Sequence, residues 1–227
     1  MGGEAPESSL RVALLLSLSG GFLDAFTYVG HGQVFANAMT GNVILLGVHV
    51  AAGDVARAAT HIPPIVAFLV GVFLAQALRI YVARGVSRRA ALFSLVIEIL
   101  TLAAIAFLPR AYPDIPIVLT ISFVAALQNS SFTKVEAWSY NSVMTTGNLR
   151  RFAETLFAGI LPRRDTVTLD QARIFGGVCV SFLLGAGIGG LITPWAGNAG
   201  LAVPVALLGI TLWWCRRGAA AISTANG

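Results

Sequence analysis

Apolar residues run along the chain in long blocks, separated by short polar or proline-rich breaks. The blocks cover about 12–30, 63–83, 90–108, 115–133, 174–193 and 200–215, each close to the roughly 20 residues that cross a bilayer as a helix. Pro63-Pro64 and Pro113/Pro116 fall at span starts, where a missing N–H costs little. Two shorter apolar stretches, 42–52 and 148–161, hold 11 and 14 residues. They are too short to span and predict re-entrant or interfacial helices. The pattern predicts an all-α polytopic membrane protein with six transmembrane helices.

Composition agrees. Hydrophobic residues make up 56% of the chain and charged residues 11%, against about 25% charged in soluble domains. Mean hydropathy is +0.80. With 227 residues shared among six spans, one membrane domain over 1–227 is expected. Glu4 and Glu7 precede the first apolar block and Asp24 lies within it, which argues against a secretory signal. Cys179 and Cys215 sit in or at the ends of apolar blocks without CxxC spacing. They read as structural thiols, and neither a metal nor another cofactor is expected.

The net charge of +5 fits a cytoplasmic excess of Lys and Arg rather than a nucleic-acid partner. Arg79, Arg84, Arg88 and Arg89 surround the second connection. Lys134, Arg150, Arg151, Arg163, Arg164 and Arg173 fill the fourth, and Arg216 and Arg217 follow the last span. Placing these and Arg11 inside leaves only Arg57 and Arg110 outside, with both termini cytoplasmic. Eight crossings would strand one basic cluster on the wrong side, so six is preferred.

The chain carries Thr-Gly-Asn twice, as Thr40-Gly41-Asn42 and Thr146-Gly147-Asn148, each after a methionine and before an apolar run. The span before each copy turns polar at a similar depth, at Asp24 in one and at Gln128-Asn129 in the other. Both features recur in the same order, in halves of about 12–108 and 115–216. Three spans per half is an odd number, so the halves are expected upside down relative to each other, the first Thr-Gly-Asn facing outside and the second the cytoplasm. Inverted repeats with interrupted helices are a secondary-transporter arrangement.

The stretches "GFLDAFTYVGHGQVFANAMTGNVILLG" (21–47) and "LQNSSFTKVEAWSYNSVMTTGNLRRFAE" (127–154) resemble the two half-signatures of the YoaK-like bacterial inner-membrane proteins. The resemblance implies a polytopic inner-membrane protein of about this length. It brings no catalytic or binding residue with it.

Asp24 is the first candidate for chemistry. It lies about 18 Å into its span at 1.5 Å per residue, where a carboxylate costs roughly 2.5–3.5 kcal/mol and usually faces a cavity, a partner or a proton path. A brace to another span or to a half-helix start is the alternative. Gln128 and Asn129, with Ser130 and Ser131, hold the matching depth and either line a site or bond between helices. Thr40 and Thr146 read as helix caps, each followed by a glycine that permits close backbone approach. The two helix starts are then a possible cradle for an anion. Glu98, in the third span, reads as a relay or as an ion-pair brace to Arg79 or Lys134. Gly71/Ala75 and Gly185/Gly189 are small-xxx-small pairs that would bring the second spans of the two halves together near a pseudo-twofold axis.

His31, His49 and His61 are scattered, and no HExxH, GxSxG or Walker loop is present, so no enzyme is expected. The expectation is a transporter or channel-like permease for a small polar or anionic solute, with proton coupling through Asp24 as a further step. The competing class is a non-transporting membrane scaffold or sensor.

Overall fold

A computed structural model describes residues 8–81, 87–161 and 165–225. Arg84, Arg163 and Arg164 lie outside the described residues, as do Glu4 and Glu7, and the side chains of Arg79, Arg88 and Arg89 are likewise not described. Helices dominate, as the apolar blocks predict. In order they are α1 (Leu10–Gly30), α2 (Met39–Ala51), α3 (Val55–Thr60), α4 (Ile62–Tyr81), α5 (Ser87–Ala106) and α6 (Asp114–Ser131). A two-stranded hairpin, β1 (Lys134–Val135) and β2 (Trp138–Ser139), follows. Then come α7 (Thr145–Ile160), α8 (Thr166–Ala196), a 3-10 turn at Gly197–Leu201, and α9 (Ala202–Ala225).

Each of the six predicted blocks falls on a helix. Three helical stretches are long and apolar enough to cross a membrane by length and composition: Leu10–Gly30, Val55–Leu78 and Thr166–Arg217, the last running through α8, the 3-10 turn and α9. Helix α8 begins eight residues before the predicted 174, because Asp165 caps its start by accepting from Val167 N at 3.1 Å. Hydrogen bonds to Val167 N and Thr168 hold the Asp165 carboxyl below its ordinary pKa. Large apolar side chains cover the outside: Phe73, Phe93, Leu183, Leu191 and Trp195 are all exposed. Water would penalise such a surface and lipid would not.

Helix α1 is the most enclosed of the three stretches and packs on α8 and α9, while α6 packs on α4 and α5. Glycines set these crossings. A Cβ on Gly185 would collide with the Leu18 carbonyl, and one on Gly189 would lie 2.7 Å from Phe22 O. A Cβ on Gly71 would lie 2.7 Å from Phe123 O. The small pairs therefore do not bring α4 and α8 together at an axis, as expected above. Each receives the first span of the other half, because the closest backbone approach goes to whichever helix fills the gap that the glycines leave.

Chain ends and connections sort to two ends of the molecule. At one end, Glu136 N donates to Ser8 O at 2.5 Å and the Arg11 guanidinium lies 4.6 Å over the Trp214 ring. At the other, His31 Nδ1 meets Asp114 Oδ1 at 2.7 Å, Asn198 Nδ2 donates to Leu108 O at 3.1 Å, and Arg110 donates to Trp195 O. The basic segments that charge placed on one side of the membrane, so far as they are described, gather at the first end.

Candidate functional site

After Gly30 the chain turns and runs back down the side of α1. Phe35 stacks on Tyr28 with ring centroids 4.9 Å apart, Ala36 N donates to Thr27 Oγ1 at 3.1 Å, and Asn37 N donates to Asp24 Oδ1 at 2.6 Å. Asn37 Nδ2 reaches the carbonyl of Gly20, the middle residue of α1, at 3.5 Å. Helix α2 starts there and returns toward the end it came from, where His49 stacks 5.4 Å from His61 beside the start of α4. The 42–52 stretch is thus a fold-back into the helical body.

The second copy does the same from the opposite end. Ser142 Oγ donates to Asn129 Oδ1 at 2.8 Å, and Val143 packs against α1 so closely that a Cβ on Gly20 would lie 2.5 Å from its Cγ1. Helix α7 starts beside Cys179, near the middle of α8, and runs back along α8 past Gly176 to Leu169. Both short helices begin deep in the fold, on either side of Gly20.

One device holds both turns. Asn42 Nδ2 donates to Phe35 O at 2.7 Å and Asn148 Nδ2 to Asn141 O at 2.6 Å, each reaching back seven residues. Asn42 Oδ1 also accepts from Phe35 N at 2.9 Å. Both asparagines are buried. They act as staples for their own loops.

The threonines are not the caps. Helices α2 and α7 start at Met39 and Thr145, after Ala38 and Met144, neither of which makes a side-chain cap bond. Thr40 and Thr146 fall inside the first turns and are exposed. Two residues outside the helices satisfy the donors that precede them. Asp24 Oδ1 accepts from Asn37 N and, at 3.3 Å, from Ala38 N. Asn141 Oδ1 accepts from Val143 N at 3.0 Å and Met144 N at 3.1 Å. The positive end of α2 already faces the Asp24 carboxylate, which leaves little there for an exogenous anion. Asp24 is buried and its Oδ2 has no hydrogen-bond partner among the described residues.

The glycines differ. A Cβ on Gly41 would lie 2.7 Å from the Phe35 ring, whereas one on Gly147 would meet nothing within 4 Å. Gly147, Asn148, Met144, Tyr140 and Arg151 border an open cavity of about 210 Å³, where Arg151 donates to Ser139 O. Burial pushes the Tyr140 hydroxyl pKa up. Gln128 and Asn129 are both buried, and Asn129 Nδ2 is unpartnered.

Glu98 stands apart from this assembly. It is only 1% exposed, and it makes no ion pair with Lys134, which is exposed on β1. Its Oε2 has no partner among the described residues. Ser19, Ser122 and Thr211 are equally buried, on α1, α6 and α9. No group of three or more His, Cys, Asp or Glu suited to a metal occurs among the described residues. Phe35, Asn37, Asn141 and Ser142 were not singled out from sequence, although the shared seven-residue step before each Thr-Gly-Asn asparagine marks two of them.

A family model described as "Protein of unknown function (DUF1275)" matches residues 12–214. The chain belongs to this family. Among DUF1275-like relatives, the "UPF0700 transmembrane protein YoaK" of Bacillus subtilis (strain 168) is 23% identical over 198 residues, covering 86% of this chain and 88% of that protein. The YoaK-like resemblance of the two signature stretches is thereby established, and with it a membrane protein of the DUF1275 family. No solved structure matches the chain.

Proposed function

We propose that this protein is a permease of the secondary-transporter kind, in which two inverted three-span halves expose a central polar site alternately to each side. The observation that carries the reading is the pair of fold-backs. Two short helices start on either side of Gly20, enter from opposite ends and are held by the same seven-residue asparagine staple. Discontinuous helices whose ends meet between inverted halves are how such proteins build a substrate site. The reciprocal packing is consistent with it, since α1 lies on α8 and α9 as α6 lies on α4 and α5. The site draws on Asp24, Gln128, Asn129 and the start of α7, with a small polar molecule as solute. Asp24 is the coupling candidate, because its Oδ2 is buried and uncommitted. The setting is a bacterial inner membrane with both termini cytoplasmic.

One observation favours a second reading, a non-transporting scaffold or sensor. Asp24 Oδ1 already braces the 37–38 backbone, which a purely structural carboxylate would also do.

Two measurements decide. Single cysteines replacing the exposed Arg57 and Arg150, in a chain without Cys179 and Cys215, should react with an impermeant maleimide from opposite faces of the membrane. Labelling of both from one face removes the inversion. Liposomes holding the purified protein and a trapped pH indicator are then challenged with gradients of polyols, amino acids and carboxylates. Flux lost in a folded Asp24→Asn variant supports transport. No flux in any class, together with an Asp24→Asn protein that does not fold, assigns Asp24 to bracing.

A further inference from the structure

A second cavity of about 300 Å³ lies between α4 and α6, at the end of the fold where α1 begins. That volume is at the small end of the range for small-molecule sites, about 300–1,000 Å³. Five polar side chains line it: Gln76, Asn129, Ser130, Thr133 and Asn141. Phe68 and Val72 make the remaining, apolar wall. No charged side chain is among the described lining residues.

The two asparagines do not present themselves freely. Asn141 Oδ1 is consumed by the backbone N–H groups of Val143 and Met144, which also fixes which end of its amide is oxygen. Asn129 Oδ1 is consumed by the Ser142 hydroxyl. Each amide is left with its Nδ2 group, and that of Asn129 is buried with no partner among the described residues. A buried donor without an acceptor carries an unmet desolvation cost. An oxygen acceptor in the cavity would recover much of it. The fold-back before α7 therefore leaves N–H groups as the uncommitted ends of the two amides, in a pocket that also has an aromatic and an aliphatic wall.

Resting on the permease reading, we propose that this cavity, which shares Asn129 with the central polar site, is where the solute binds from this end and that it takes a small uncharged molecule rich in oxygen acceptors, a polyol or short sugar. The donors meet its oxygens, and Phe68 and Val72 cover its C–H face. An anion would also accept from amide donors, but none of the described lining residues offers it a countercharge, and desolvating an unpaired ion is unfavourable. Gln76 and Thr133, both exposed, stand at the mouth.

The test uses the full chain in lipid nanodiscs, without its native cysteines and with Thr133→Cys at the cavity mouth. The rate of N-ethylmaleimide labelling is measured against xylitol and against sodium nitrate. Xylitol should slow labelling at least fivefold and nitrate should not. Asn129→Asp, which replaces the free donor by an acceptor, should raise the half-protecting xylitol concentration at least tenfold. Gln76→Leu, at an exposed position that tolerates substitution, should raise it severalfold and keeps the test decisive if the Asn129 variant does not fold. Protection by nitrate instead of xylitol overturns the proposal, and so does protection by neither. Asp24-dependent flux of another solute in a chain that xylitol does not protect would sink the cavity assignment alone. Xylitol protection without any flux would uphold the site and sink the transport reading.

Discussion

The two Thr-Gly-Asn fold-backs use one staple and differ in how they are sealed. In the first, Phe35 stacks on Tyr28 and lies over Gly41, and the Asp24 carboxylate takes the backbone donors that precede α2. In the second, the residue at Phe35's place is Asn141, an uncharged amide takes the donors, and Gly147 faces open space. One copy is closed by an aromatic lid and held by a titratable carboxyl group. The other is neutral and open to cavities on two sides, since Asn141 borders both. Duplicated backbone architecture thus does not mean duplicated chemistry. The position seven residues before each asparagine decides which copy is a plug and which a port.

The staples are the strongest place to break the comparison. Asn42→Ala strands both the N–H and the carbonyl of Phe35 and should cost about 2–4 kcal/mol, from two lost bonds and a part-buried donor left unsatisfied. Asn148→Ala loses a single bond to Asn141 O and should cost about 1–2 kcal/mol. Denaturation of the purified variants in mixed micelles would rank them, and equal losses would refute the asymmetry.

The glycines come next. Gly41→Ala forces its Cβ into the Phe35 ring and should destabilise by about 1–3 kcal/mol, the range for overpacking. Gly147→Ala meets nothing and should gain up to about 1 kcal/mol, as alanine replaces glycine inside a helix. Opposite signs in one thermal-unfolding series are the expected result.

Exchanging the lids sharpens the contrast with the smallest energetic change. Phe35→Asn should make a cysteine at Thr40 label faster, because the neighbouring Gly41 loses its aromatic cover. A cysteine at Thr146 should respond little to that substitution. If both respond alike, the fold-backs are not sealed independently. Asn42 and Asn148 themselves are unsuitable labelling positions, being buried and structural.

Several features of this site were legible along the chain. Asp24 and the Gln128-Asn129 pair interrupt apolar spans, and both lie where the fold-backs meet their helices. The Thr-Gly-Asn copies did mark the two short helices. Their capping was misread, since Thr40 and Thr146 are suitable cap residues but lie inside the first turns. The actual acceptors are Asp24, thirteen and fourteen residues before its donors, and Asn141, two and three before its own. The small pairs on α4 and α8 were correctly read as crossing points but given the wrong partners. Glycine spacing states that a helix can come close and not which helix does.

The sequence alone determined the solvent, the class and the division into blocks. A bilayer demands about 20 apolar residues per crossing and internal satisfaction of every backbone group, and both demands can be read from one-dimensional order. Only the tertiary structure decided which polar atoms are spent and which remain free. Asn129 reads as a neutral amide in the sequence, and Asn141 does not stand out there at all. They become donors in the fold because Ser142, Val143 and Met144 have already claimed their oxygens. Hydrogen-bond capacity is allotted by three-dimensional neighbours, and Ser142 meets Asn129 from thirteen residues away across a turn whose path the hydrophobic pattern does not specify.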